Sequence, residues 1–275
     1  MLEEGIKQRI ERLRLNLLEK SRDFMPRIER PRPISLEETD DLREVGGTAG
    51  KCALIEKNID DHVRADALRS ASRKLLPSDR SGPDRSGNGR SYPYHRGPHP
   101  AGPSLLFLDL ETTGFSSTPL FLAGTVFERD GLMRSLQYLA RDYSEERVLL
   151  GLLDELMGRF DTCVTFNGKS FDMPYIRDRA KYHGVSLGAS PEQYDLLHVA
   201  RRRWKERLPD CRLVTLETHI LGRHRVGDVP GWEVPCIYHD FVHTKDARRL
   251  RGVLRHNLID CISMAQLFIR LAEAA

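Results

Sequence analysis

The chain has 275 residues, 40% hydrophobic, 7% aromatic and 30% charged, enough for one sizeable domain plus an appendage and adequate for a globular core. The formal net charge is only +3, with 20 Lys and Arg against 17 Asp and Glu in residues 1–100 and 23 against 23 in residues 101–275. A global basic field is thereby excluded, and any contact with nucleic acid must come from local Arg patches.

Residues 3–20 read as an amphipathic helix, because Ile6, Ile10, Leu13 and Leu17 fall at steps of four, three and four on one stripe. It either docks on its own domain or binds a partner, and it is too short to argue for a coiled coil. The segment MLEEGIKQRIERL has no apolar signal core, which speaks against secretion. Pro26, Pro31 and Pro33 then stop any helix. Residues 36–76 are mixed, with a short strand expected at Cys52–Glu56 and a helix near Asp61–Leu75. Residues 77–103 change composition sharply to Gly, Pro, Ser and Arg without Leu, Ile or Val, and DRSG occurs at 79–82 and again at 84–87. Such a stretch cannot bury apolar area and reads as a flexible linker.

An ordered domain is expected over 104–275, after an N-terminal extension over 1–76 and the linker. Leu105–Leu110 is an apolar run of buried-strand type that carries Asp109. Leu120–Phe127 and Leu132–Ala140 flank the turn signal Glu-Arg-Asp-Gly at 128–131. Ser144, Glu145 and Glu146 open a helix to about Phe160. Thr162–Phe166 is a short strand broken by Asn167-Gly168, and a helix follows from about Phe171, with Pro174 tolerated in its first turn. Tyr194–Arg207, Leu213–Leu221 and Asn257–Ala272 are further helices. A hairpin followed by alternating strand and helix predicts an α/β fold, a mixed sheet with helices on its faces.

Four carboxylates carry the chemistry. Asp109 and Glu111 stand in LFLDLETTGF, Asp172 in TFNGKSFDMPYI and Asp260 in RHNLIDCISM, with His256 four residues before Asp260. Residues i and i+2 of a strand share a face, so Asp109 and Glu111 project together near a strand end, where open α/β folds bind ligands. Asp172 and Asp260 are placed near helix starts. Two unit charges 4 Å apart repel by about 4 kcal/mol at an effective dielectric of about 20. Convergence of four acids therefore calls for cations; oxygen ligands suit Mg²⁺ or Mn²⁺, and two such ions serve phosphodiester cleavage. Taken singly, Asp172 and Asp260 also read as ordinary helix-start residues. Asp109 is harder to explain that way, since it interrupts an apolar strand. His256 suits the role of base for a water nucleophile.

Other features have two readings. Gly114 and Gly168 let backbone approach phosphate or simply form turns. Lys169 contacts phosphate or is solvated. Phe115 and Phe171 stack on bases or, for Phe171 above all, fill the core. Asn167 holds a substrate oxygen or closes an Asx-turn. Arg201, Arg202, Arg203, Lys205 and Arg207 around Trp204 track a strand or form a solvated helix face. Arg248, Arg249, Arg251 and Arg255 precede the last acid and are better placed for phosphate. Asp195 is expected to cap a helix, His239 and His243 to be structural or on the surface, and Trp232 to pack down a loop. Five scattered cysteines form no CxxC pair, which argues against a cysteine zinc site and fits a reducing compartment. No apolar run approaches 18 residues, so no membrane partner is expected and the cytoplasm is the default.

The three acidic motifs resemble those of the DEDD (DnaQ-like) 3′–5′ exonucleases of the ribonuclease H-like superfamily, Asn167 and Asp172 matching the N-x4-D of the second motif. With SEERVLLGLLDELMGRFDTCVTFNGKSFD, YDLLHVARR and DVPGWEVP, the pattern over 104–272 is most similar to the YprB-like ribonuclease H-like family. The resemblance implies a ribonuclease H-like fold, with Asp109, Glu111, Asp172 and Asp260 as ligands of two ions, His256 as general base, and Thr112, Thr113, Gly114 and Phe115 around the terminal nucleotide. The His-type pattern places its His five residues before the last Asp; here the gap is four, the spacing of the Tyr-type pattern. The implied function is a metal-dependent 3′–5′ exonuclease acting on a single strand or 3′ end of nucleic acid, with DNA repair as an expected setting; a helicase or repair factor is an expected partner, docked by residues 1–76 if the chain is a recruited subunit. Its rivals are a structure-selective endonuclease of the same fold and a non-catalytic binding or partner-recruited subunit.

Overall fold

Residues 32–38, 41–47, 50–76, 102–114 and 117–274 are described by a computed structural model. The amphipathic segment 3–20 lies outside the described residues, as do 77–101 of the expected linker. Residues Ile34–Ala275 make one compact unit. Its centre is a seven-stranded mixed sheet built from β1 (Leu42–Gly47), β2 (Gly50–Asn58), β3 (Leu105–Thr112), β4 (Leu120–Arg129), β5 (Leu132–Leu139), β6 (Thr162–Thr165) and β7 (Glu192–Asp195) in the order β1-β2-β5-β4-β3-β6-β7. The first five strands in that order pair antiparallel, while β3, β6 and β7 run parallel.

Alternation along β3 assigns its side chains to two faces. Leu106, Leu108 and Leu110 enter one core, with α2 (Glu146–Met157), α3 (Asp172–Tyr182) and α6 (Val234–Thr244). Leu105 and Phe107 enter the other, with α1 (Ala65–Leu75), α4 (Leu196–Trp204) and most of α7 (Leu250–Glu273). Phe121 stacks on Tyr238 at 4.0 Å in the first core, and Phe107 meets Phe268 edge-on at 5.9 Å in the second. Asp109 and Glu111 have the parity of Leu105 and Phe107, so they emerge on the α7 face.

Several expectations are corrected here. Residues 42–76 are no separate mixed segment: β2 pairs with β5 over Ala53–Asn58, and Leu68 and Ala71 of α1 share a core with α7. Composition marks where a chain is solvated, but strand pairing ignores distance along it. The segment 192–195 is a strand, with Asp195 capping α4 through Leu197 N at 3.0 Å. Asp142 rather than Ser144 caps the turn before α2. Leu213–Leu216 is α-helical (α5) and continues as a π turn over Glu217–Leu221. An unforeseen helix, α6, begins within PGWEVP, with Pro235 in its first turn. The last helix begins at Leu250, so Asp260 lies ten residues inside it rather than in its first turns. Among the described residues, no helix is long and apolar enough to cross a membrane.

Candidate active site

A row of three residues crosses the middle of the sheet. Asp109 of β3 pairs with Gly124 of β4, which pairs with Gln137 of β5. Asn257 of α7 lies over the row. Its Nδ2 donates to the Asp109 carboxylate at 2.8 Å and to the Asp109 carbonyl at 3.1 Å, while its Oδ1 accepts from Gln137 Nε2 at 2.9 Å. Only glycine fits at 124, because a Cβ there would stand 1.8 Å from Asn257 Oδ1. The pair thus sets how closely α7, with His256 and Asp260, approaches the strand that carries Asp109 and Glu111.

Asp172 opens α3 and is buried. The turn before it is held by Asp195, whose carboxylate accepts from Asn167 N at 2.9 Å and Lys169 N at 3.1 Å. Asn167 adopts φ 66°, and a Cβ on Gly168 would meet Thr165 at 2.4 Å, so this turn requires its Asn-Gly pair. The Asn167 and Lys169 side chains are exposed. At the end of β3, Thr112 Oγ1 donates to the Gly114 carbonyl at 2.7 Å, and Thr113 N donates to the Pro119 carbonyl at 3.0 Å. Phe115 lies outside the described residues.

Electrostatics bind these acids into one site. Burial pushes the Asp109 carboxyl well above its usual range, and the charges of Asp260, Glu111 and Asp172 push it further, against the Asn257 bond. Burial likewise raises Glu111, helped by Asp260, Asp172 and Asp228. Asp172 is raised to about 7, chiefly by burial and against backbone hydrogen bonds from its own N–H and Leu110. Asp260 is raised by burial, with His256 and Arg225 opposing. Asp109 and Glu111 thus both lie in the repelling fields of Asp172 and Asp260.

The sequence reading missed the cation in that field. Arg225, in the segment after the π turn, hydrogen-bonds Asp260, grips the fully buried Glu217 through two bonds of 2.6 Å and meets Asp228 at 3.0 Å. Burial works against the Arg225 charge, but Glu217 and Asp260 hold it well above the usual guanidinium range. Asp228 was missed as well. Both its oxygens lie 2.9 Å from His256 Nδ1, while His256 Nε2 is 3.7 Å from Asp260. The only signal for either residue was the run RHRVGDVPGW, whose partners on α7 lie more than 25 positions further on.

Other sequence candidates lie apart from this network. Trp204 is buried while Arg201, Arg202 and Arg203 are exposed, as a solvated helix face would be. Arg248 pairs with Asp246, and Arg249 with Glu233 and Asp240. His239 bonds Tyr143 at 2.5 Å and His243 the His239 carbonyl at 2.7 Å. Trp232 does not pack down: it is 78% exposed.

Among the described residues, no three His, Cys, Asp or Glu side chains stand in a ready-made cage for a metal ion. The donor set nevertheless fits a hard divalent cation. It is all carboxylate oxygen, and burial raises all four acids, with His256 and Arg225 opposing it at Asp260.

A family model described as the RNase_H superfamily matches residues 106–272. "Uncharacterized protein YprB" of Bacillus subtilis (strain 168) is 34% identical over 177 residues, covering 62% of this chain and 42% of that protein, so the chain spans less than half of that relative. Among solved structures, the family B DNA polymerase of the hyperthermophilic archaeon Pyrobaculum calidifontis aligns with TM-score 0.49 at 18% identity, over 62% of this chain and 24% of that one. E. coli exonuclease I in complex with a dT13 oligonucleotide aligns with TM-score 0.37 at 17% identity, over 55% and 43%.

Proposed function

The chain belongs to the RNase_H superfamily, and from that premise and the site geometry we propose that it is a divalent-metal-dependent nuclease that removes nucleotides from 3′ ends of nucleic acid. The observation that supports this most is the set Asp109, Glu111, Asp172 and Asp260, from β3, α3 and α7: burial raises all four, and the charges of Asp260 and Asp172 raise Asp109 and Glu111 further. Uncompensated acids in such a place are costly unless the site is built to receive positive charge.

In this reading the four carboxylates hold Mg²⁺ or Mn²⁺. Two such ions, when bound, supply Lewis-acid stabilisation of charge on the phosphate and the leaving oxygen. The chain's own part in proton transfer falls to His256. Asp228 accepts from Nδ1–H, which fixes the tautomer and leaves the Nε2 lone pair, on the Asp260 side, as the acceptor of a proton from water. Asn257 orients Asp109 from α7, and the turn 167–169, pinned by Asp195, sets the start of α3 and hence Asp172. Thr112, Thr113, Gly114, Phe115, Asn167 and Lys169 form the proposed border to the terminal nucleotide.

Labelled single-stranded and duplex DNA and RNA, incubated with Mg²⁺ or Mn²⁺ and with chelator, test the proposal. Metal-dependent release of mononucleotides from the 3′ end is expected, together with its loss in Asp172→Ala at preserved circular dichroism. Cutting of circular or end-blocked substrate would assign endonuclease action instead. Undiminished cleavage by purified Asp172→Ala would refute the site.

A further inference from the structure

The segment from Gly222 to Glu233 is anchored to the acid site yet presents apolar surface to solvent. Arg225 and Asp228 tie it to Asp260 and His256, and Val229 packs into the core, where a Cβ on Gly252 of α7 would meet it at 2.8 Å. Its far end is fixed as well: Glu233 N bonds the Pro230 carbonyl at 2.8 Å, and the Glu233 carboxylate accepts from Arg249 at 2.8 Å. Between these anchors, Val226 is 81% and Trp232 78% exposed, the two most exposed large apolar side chains among the described residues.

Single exposed apolar residues are ordinary; Trp232 is set apart by its position. Trp232 is four residues from Asp228, so their Cα atoms are at most about 14 Å apart. A strand with its terminal linkage at the acids would pass the indole within a few nucleotides. An aromatic face on an anchored backbone is a preformed platform, and every base has a π-face to set on it. Only an unpaired base offers that face freely, which makes the ligand a single strand.

Building on the nucleic-acid reading above, we infer that Trp232 is a stacking platform for a base of a single-stranded substrate held at the carboxylate site. The chain's two tryptophans allow a direct readout, because Trp204 is only 8% exposed and emission open to an aqueous quencher therefore reports Trp232.

The test uses the full chain carrying Asp109→Asn, to prevent cleavage, titrated with short oligo(dT), oligo(U) and a blunt duplex. Fluorescence anisotropy and tryptophan emission are both recorded. Either single strand should quench and shield the exposed tryptophan. Adding Trp232→Ala should weaken single-strand binding about tenfold, Trp232→Phe should restore most of it, and duplex affinity should change less than twofold. Equal single-strand affinity with and without Trp232, or binding that leaves its emission accessible, overturns the platform while leaving the nuclease reading intact. A parent protein that binds neither strand nor duplex overturns both.

Discussion

Replacing Gly124 with alanine should damage both the stability of the sheet and the setting of Asp109. The added Cβ would lie 1.8 Å from Asn257 Oδ1 and 2.6 Å from its Cγ, whereas non-bonded heavy atoms settle at about 3.5 Å or more. The side chain must retreat by well over about 1 Å, and it cannot do so while donating to Asp109 at 2.8 Å and accepting from Gln137 at 2.9 Å. Overpacking costs about 1–3 kcal/mol, and each buried hydrogen bond given up adds about 1 kcal/mol, for a loss of about 3–5 kcal/mol. Urea unfolding followed by circular dichroism measures it as a lower midpoint at unchanged slope. A double-mutant cycle with Asn257→Ala isolates the clash: in the Gly124→Ala background that second change should cost at least about 1 kcal/mol less than in the parent. A Gly124→Ala protein within about 0.5 kcal/mol of the parent, or additive costs in the cycle, would refute the close approach of α7 to β4 as the determinant of the site.

Two further predictions follow from the buried charges. Arg225→Met strips the partner from the fully buried Glu217 and should cost about 3–5 kcal/mol. Thermal unfolding of the double variant with Glu217→Gln should show a recovery, and its absence would refute the stranded Glu217 carboxyl as the source of the cost. In chelator, Asp172 should make stability fall as pH rises. Its carboxyl, about 7 in the fold against an ordinary 3.8, binds its proton more tightly folded than unfolded. That contribution is complete below about pH 4 and is lost by about pH 7, an upper limit of about 4 kcal/mol. Asp109 and Glu111 push in the same direction. Melting temperatures from about pH 5 to pH 8 should therefore drop less in Asp172→Asn, and identical slopes for the two proteins would remove Asp172 as a source.

Much of the sheet was legible because apolar runs and turn pairs are local. Leu105–Leu110, the 120–140 hairpin and Thr162–Phe166 carry their own patterns, and the acids stand out against them. β1 was missed because LREVGG forms an edge strand with no buried side chain among those described. The early start of α7 was missed because Arg248, Arg249, Arg251 and Arg255 mask the apolar positions Leu250, Val253 and Leu254. The network around the acids was illegible for a different reason. Gly124, Gln137 and Asn257 meet through strand register and helix placement, and Glu217, Arg225 and Asp228 reach α7 across a loop. Neither kind of contact leaves a periodicity in the sequence.

The pairing of β2 with β5 carries one more consequence. Residues 42–76 and 102–274 share a sheet and a core, so packing joins them as well as the chain through 77–101. A chain severed there would be two polypeptides with one shared hydrophobic interior, able to complement each other from separate genes. The shorter piece, offered alone, would hold two strands and one helix with most of their buried faces uncovered.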